Sequence, residues 1–248
     1  MLSMISVLFL VGLFATMLGT LAGSGGLINF PAMLLLGVPV HSTIAANKFS
    51  NTLSSFSSFF TLFLQKKIPL RLALKTGPFS LIGGIGGGIF ASHIEEQSML
   101  IIAIFLLIGA LIITFVKKEA VHSLSKREFP AKGLPFLTGI GWYDGMFGPG
   151  QATFQLHLFR HYNMDYLCSI ALTRFNTFLS CIGAMVTYIL SGHMVWSVAI
   201  PLALGSITGA QIGVRLAAKL STIHVKWILR IITFTLVIQL TYRFFNQL

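Results

Sequence analysis

The chain is short of charge, and of acid above all. Only 9% of its 248 residues are charged, with six Asp and Glu against seventeen Lys and Arg. A soluble domain carries about 25% charged residues. So little charge cannot cover the surface of a globule of this size, which excludes an ordinary soluble domain. Cysteine is equally scarce. Cys168 and Cys181 have no CxxC spacing and lie in or beside apolar sequence, so they read as buried free thiols rather than a metal or disulfide framework. HExxH, a Walker A loop and GxSxG are all missing, and the seven histidines are scattered. No metal or cofactor is expected.

What fills the chain is apolar sequence. Hydrophobic residues make up 55% and mean hydropathy is +0.85. They cluster in runs of about twenty, the length a bilayer-spanning helix needs. The expected class is an all-α polytopic membrane protein. A net charge of +11 and a pI near 10.1 would suggest nucleic acid in a soluble chain. Here the bases sit between apolar runs, so they read as topological signals and no nucleic-acid partner is expected. The N-terminus is apolar without a basic n-region, which weakens a signal-peptide reading.

An internal repeat organises the chain. Shifted by 126 residues, the sequence aligns with itself without a gap over a long stretch: Gly19 falls on Gly145, Ile44-Ala45 on Ile170-Ala171, Phe49 on Phe175 and Leu53-Ser54 on Leu179-Ser180. Thr61 falls on Thr187, Ser80 on Ser206, Gly83 on Gly209 and Gly87 on Gly213. Lys48 falls on Arg174, a charge match inside apolar sequence. The reading is a first repeat over 1–116, a linker over 117–132 and a second repeat over 133–248. Each repeat holds a broken hairpin (5–36; 133–160) and three longer helices, at 43–64, 76–92 and 98–116, then 168–190, 197–216 and 226–245. Ser80, Gly83 and Gly87, with Ser206, Gly209 and Gly213, form small-residue faces whose expected role is close helix packing.

Loop charges assign orientation. Lys66, Lys67, Arg71 and Lys75 occupy a loop whose counterpart, Ser191–Val195, holds no Lys or Arg. The next loop, Ser92–Ser98, is acidic, whereas its counterpart carries Arg215, Lys219 and Lys226. Opposite bias in equivalent loops predicts inverted-topology repeats, with Lys117–Lys132 cytoplasmic and both chain ends outside. Residues 133–160 must then enter and leave on one face. The arms, Gly133–Phe147 and Gln151–Phe159, are short for a full crossing, so they read as a re-entrant hairpin with Gly148-Pro149-Gly150 at its tip. The first hairpin breaks at Gly23-Ser24-Gly25-Gly26 and enters from the other face. Two full crossings per hairpin keep the same parity and stay open.

Broken helices from opposed repeats are a common way to build a midplane site, because N–H groups freed at the breaks attract anions. The competing role for these glycines is tight turns and packing. Asn47-Lys48-Phe49-Ser50-Asn51 and Thr173-Arg174-Phe175-Asn176-Thr177 open the helix after each hairpin. Cations there should face a wet cavity or a partner. Snorkelling, or pairing with hairpin carbonyls or Asp144, is the alternative. The expected substrate-binding set is Gly23, Ser24, Gly25, Gly26, Asn47, Lys48, Asn51, Gly148, Gly150, Thr173, Arg174 and Asn176, with Ser50 and Thr177 as further neutral donors. Asp144, in Trp142-Tyr143-Asp144-Gly145, either carries a coupling proton or forms a salt bridge to Lys48 or Arg174. His157 and His161 read as structural or interfacial.

The run Gly23-Ser24-Gly25-Gly26, Pro31, Gly37-Val38-Pro39 and Ala45-Ala46-Asn47-Lys48 resembles the first-half pattern of the TauE/SafE sulfite exporter family. Tyr143-Asp144-Gly145-Met146-Phe147-Gly148-Pro149-Gly150, followed by Ala171, Thr173 and Arg174, resembles the second. The resemblance spans nearly the whole chain and implies secondary transport of a small sulfur-containing oxyanion or organosulfonate. Gln151-Ala152 and Ala46-Asn47 depart from the commoner family residues and bear on substrate identity. The expected partners are a small anion and membrane lipid, with a homodimer as an allowed assembly and a bacterial inner membrane as the location. The competing class is a non-transporting membrane assembly subunit or a membrane enzyme, for which no nucleophile–base pair stands out.

Overall fold

The computed structural model describes residues 2–22, 25–66, 68–113, 129–216 and 222–246. Among these residues it contains ten α-helices and no strand. They are α1 (Leu2–Ala22), α2 (Gly26–Leu35), α3 (Val40–Leu64), α4 (Leu70–Ser92), α5 (Glu96–Ile113), α6 (Leu134–Met146), α7 (Gln151–His161), α8 (Tyr166–Leu190), α9 (Trp196–Leu216) and α10 (Thr222–Asn246), with a 3₁₀ turn before α6. Residues 117–128, which make up most of the expected linker, lie outside the described part, as do Gly23, Ser24, Lys67 and Lys219.

Helix starts recur at the spacing of the repeat: Val40 with Tyr166, Leu70 with Trp196, Glu96 with Thr222. The backbone repeats too. Gly37 (φ 83°) falls on Asn163 (φ 55°), and Lys66 (φ 55°) on Gly192 (φ 76°). Each of these left-handed residues lies just past a helix C-terminus, where such a residue lets the last carbonyls find donors. Asn and Gly tolerate that conformation; Lys66 adopts it without their advantage. Several helices begin earlier than the apolar runs suggest. α3 starts at Val40 directly after Pro39, and α4 at Leu70 directly after Pro69. A proline imposes extended backbone on its neighbour and leaves the following residues free to wind. The side chain of Asp165 caps α8 by accepting from the Cys168 N–H at 3.0 Å.

Three of these helices, α5, α8 and α9, are long and apolar enough to cross a membrane. α3 has the length, at 25 residues, but not the hydropathy. It is studded with buried Ser, Thr and Asn, among them Thr43, Asn47, Ser50, Ser54 and Ser58. The reason is position: α3 packs on both α8 and α9. A helix surrounded by protein has little need of a lipid-compatible surface.

The helices exchange partners between halves. α4 packs against α6 and α8, and α9 packs against α1 and α3. Both exchanges run through the small-residue faces. A Cβ on Gly87 would lie 2.8 Å from the Met146 nitrogen, and one on Gly209 would lie 2.9 Å from the Leu13 carbonyl carbon. The expected packing role of these glycines is the one observed.

Ring contacts set the helix directions. Phe56 meets Phe178 and Phe59 meets Phe175, with centroids 5.0 and 4.7 Å apart, so α3 and α8 run antiparallel. At one end of the bundle the start of α3 meets the end of α8, where His41 stacks on His193 at 4.6 Å. Glu96 joins them, its carboxylate 2.5 Å from His41 Nδ1 and accepting from the Val40 N–H. At the other end Phe63, Leu72, Phe129, Phe159, Met164 and Cys168 form one apolar cluster.

Each hairpin begins and ends at the same end of the bundle. Phe129, before α6, touches Phe159 and Tyr162 at the close of α7 (5.4 and 5.3 Å). Leu8 of α1 shares a cluster with Met33 and Val38 at the close of α2. The first hairpin is lopsided: α1 has 21 residues and α2 has 10. In the second, the arms have 13 and 11 residues. Ten residues of helix rise only about 15 Å, half of a ~30 Å hydrocarbon core.

Candidate functional site

The two hairpin breaks meet inside the bundle. The Cβ position of Gly26 lies 3.3 Å from Cα of Pro149 and 3.6 Å from Nδ2 of Asn47. The second break needs its glycines: Gly148 has φ 103° and Gly150 φ 87°, conformations that L side chains adopt only under strain. Gly148 also leaves room for the ammonium of Lys48 and the carboxylate of Asp144. The hydroxyl of Tyr143 donates to the Pro149 carbonyl at 2.6 Å and braces the loop. Gly25 has helical backbone (φ −56°), and its carbonyl accepts from Ile28 and Asn29 as α2 starts.

Lys48 and Asp144 form an ion pair. Lys48 Nζ lies 2.9 Å from Asp144 Oδ1 and also donates to the Asp144 carbonyl. Their side chains are 0% and 1% exposed. The second carboxylate oxygen accepts from Ser180 Oγ and, at 3.5 Å, from Cys181 Sγ. Of the two roles open to Asp144, the geometry is that of the salt bridge. Lys48 thus has a carboxylate partner across the interface.

Arg174 stands in the equivalent place of the second half but meets a different neighbour. Its Nη2 donates to the Gly19 carbonyl at 3.3 Å. Each cation thus reaches the end of the other half's first hairpin arm, where unsatisfied carbonyls carry partial negative charge. The repeat puts Leu18 where the second half has Asp144. Among the described residues no carboxylate lies within ion-pair distance of Arg174, and its side chain is half-buried.

Around the two breaks lie polar side chains with nothing to bond. Asn29, Asn47, Gln155 and Asn176 are fully buried, and neither amide atom of any of them has a partner among the described residues. Thr173 Oγ1 and Gln151 Oε1 are in the same state. An unsatisfied buried group costs about 1–3 kcal/mol, so a cluster of them is expensive unless something visits to bond them. Other polar neighbours are occupied. Ser50 donates to Ser206 at 2.6 Å, and Thr177 takes the Gln151 amide at 2.5 Å while donating to the Thr173 carbonyl. Asn51 is half-buried, one turn beyond Asn47.

The structure therefore brings Gly25, Gly26, Asn47, Lys48, Gly148, Gly150 and Asp144 together at the junction of the breaks. Thr173 and Asn176 sit on α8 in the turn before and beside Thr177. Arg174 reaches the first hairpin instead. Gly23 and Ser24 lie outside the described residues. Sequence reasoning missed Asn29 and Gln155, and noted Gln151 only as a departure from the family pattern. One signal was present: Asn29 falls on Gln155 in the repeat, an amide matched to an amide, though not an identity.

Elsewhere, an apolar groove of about 670 Å³ between α1 and α9, lined by Phe9, Leu10, Trp196 and Leu204 among others, contains none of these residues. No group of three or more His, Cys, Asp or Glu converges on one point among the described residues.

The chain is 30% identical to a probable membrane transporter protein, ORF9, of Sinorhizobium sp., over 96% of this chain and 92% of that one. It is 25% identical to the probable membrane transporter protein YfcA of Escherichia coli K12, over 86% and 80%, and 24% identical to one from Haemophilus influenzae, over 96% and 95%. No solved structure matches it. The model of the family described as sulfite exporter TauE/SafE matches residues 8–240. With so much of its length matched, and its apolar helices, this integral membrane protein belongs to the TauE/SafE sulfite exporter family.

Proposed function

We propose that the protein is a secondary transporter of a small anion, built from two inverted-topology repeats and working in a bacterial inner membrane. The observation that carries this reading is the meeting of the two broken hairpins, Gly26 against Pro149, beside buried amides that lack partners among the described residues. Partner exchange between halves, antiparallel α3 and α8, and two hairpins each based at a different end of the bundle support the inversion. A two-fold axis along the bundle would instead make α3 and α8 parallel. The family and the names of its bacterial relatives support transport rather than catalysis.

Charge narrows the substrate. Lys48 is neutralised by Asp144, so of the two repeat-matched cations Arg174, which reaches the first hairpin at Gly19, is the one without a carboxylate partner among the described residues. One planar guanidinium, together with the neutral amides near the breaks, suits a monoanion with several acceptor oxygens, such as hydrogen sulfite or an alkyl sulfonate. A dianion would leave one charge buried without a counter-charge. Uptake of ³⁵S-labelled sulfite and methanesulfonate into proteoliposomes holding the purified chain tests this. Saturable uptake, competed by the other sulfur monoanion and not by sulfate, is expected. Equal rates in protein-free liposomes would refute the substrate class.

A further inference from the structure

We infer that Asn29 and Gln155 are a matched pair of substrate-binding residues, one serving each side of the membrane. The inference rests on the transporter reading above but concerns residues outside the hairpin breaks themselves. Both side chains are completely buried, and all four of their amide N and O atoms lack a partner among the described residues. They occupy equivalent places in the repeat, on the short second arms α2 and α7. Two independent amides without partners at one repeat position are hard to ascribe to packing, which would be served better by Leu.

Their positions relative to the breaks differ in direction. Asn29 lies one turn beyond Gly26 on the face that meets Pro149 and Asn47. Gln155 lies one turn beyond Gln151, whose amide bonds Thr177. From the junction α2 leads to the end of the bundle that holds His41 and His193, and α7 leads to the opposite end, at Phe129 and Tyr162. The two amides therefore bracket the junction, each about one helical pitch, ~5.4 Å, from it. Amides suit such stations: the NH₂ group donates to an oxyanion and the carbonyl accepts from its water or acidic proton. They carry no charge, so they hold the ion without trapping it beside Arg174.

Sided chemistry tests this without knowing the natural substrate. Asn29→Cys and Gln155→Cys, each in a background lacking Cys168 and Cys181, are reconstituted in vesicles of defined orientation and treated with 2-sulfonatoethyl methanethiosulfonate, an impermeant anionic thiol reagent. Asn29→Cys should react at least about tenfold faster from the side of His41, and Gln155→Cys at least about tenfold faster from the opposite side, the ratio that separates one-sided access from leakage. If a cysteine variant does not fold, Asn29→Ser and Gln155→Ser carry the question through sulfite uptake. Each should raise KM about five- to tenfold from its own side only, the loss of one hydrogen bond. Cysteines silent from both sides, or both open to one side, with sulfite uptake intact in the parent, would overturn the pairing and leave the transport reading standing. Sided labelling in a parent that moves neither sulfite nor methanesulfonate would do the reverse. In the serine arm, unchanged or symmetric KM values would likewise overturn the pairing.

Discussion

Lys48 and Arg174 occupy the same repeat position and do different work. Lys48 closes a buried ion pair, and breaking such a pair from one side costs about 3–5 kcal/mol because the survivor is left uncompensated. Lys48→Gln and Asp144→Asn should each lower folded yield and thermal stability in detergent. Lys48→Met combined with Asp144→Leu should recover much of the loss, which a fluorescence-detected melting series would read. Arg174 has, among the described residues, a carbonyl and no carboxylate as its partner. Arg174→Gln should leave the melting temperature nearly unchanged and weaken monoanion binding by roughly ten- to a hundredfold, one charge-assisted hydrogen bond. Calorimetry on purified protein decides between these. Equal thermal losses for Arg174→Gln and Lys48→Gln would show that both cations are structural. The Lys48 side of this contrast was not legible in the repeat, where the two cations look alike. Only the neighbour across the interface separates them: Asp144, 96 residues away, for Lys48 and the Gly19 carbonyl, 155 residues away, for Arg174.

At the scale of single helices, the small-residue faces carry the association of the halves. Membrane helices gain little from hydrophobic burial and rely on close packing. A side chain on Gly87 or Gly209 would strike the backbone of α6 or α1. Gly87→Leu and Gly209→Leu should each destabilise the protein by about 1–3 kcal/mol or prevent assembly. Gly109 offers the contrast: a Cβ there meets nothing within 4 Å, so Gly109→Ala in α5 should be neutral or stabilise by up to about 1 kcal/mol. Thermal shifts of opposite sign for Gly87→Leu and Gly109→Ala would bear this out, and parallel shifts would contradict it. At the second break, Gly148→Ala and Gly150→Ala should cost about 1–3 kcal/mol each for left-handed backbone alone. Gly25→Ala incurs no such strain, its backbone being helical.

At the scale of the molecule, orientation is the open quantity that one experiment reads. Bases cluster at the end of the bundle that holds Lys66, Arg71, Lys75 and Lys132, and the His41–Glu96–His193 cluster marks the other end. The positive-inside rule assigns the first end to the cytoplasm. Cysteines at Gly192 and Glu95 should then label from outside, and one at Lys132 only after permeabilisation, in a background lacking Cys168 and Cys181. Glu95 is preferred to its neighbour because Glu96 accepts from Val40 and His41, and its loss would disturb the start of α3. Labelling in the reverse pattern would turn the whole molecule over in the membrane.

Helix existence and the second break were readable from residues alone, because they follow from local rules: apolar run length and Gly and Pro punctuation. Helix starts slipped by several residues at α3 and α4, where a proline and not the onset of apolar sequence marks the first turn. The polarity of α3 made little sense until its neighbours were known, since a helix enclosed by α8 and α9 answers to protein and not to lipid. Which polar groups are satisfied is a question of pairing across long sequence separations. Tertiary structure alone decided that Lys48 closes on Asp144 and Ser50 on Ser206. It also decided that Asn29, Asn47, Gln155 and Asn176 find no partner for their amides among the described residues. Composition and periodicity act along the chain, whereas a hydrogen bond is made or missed in space.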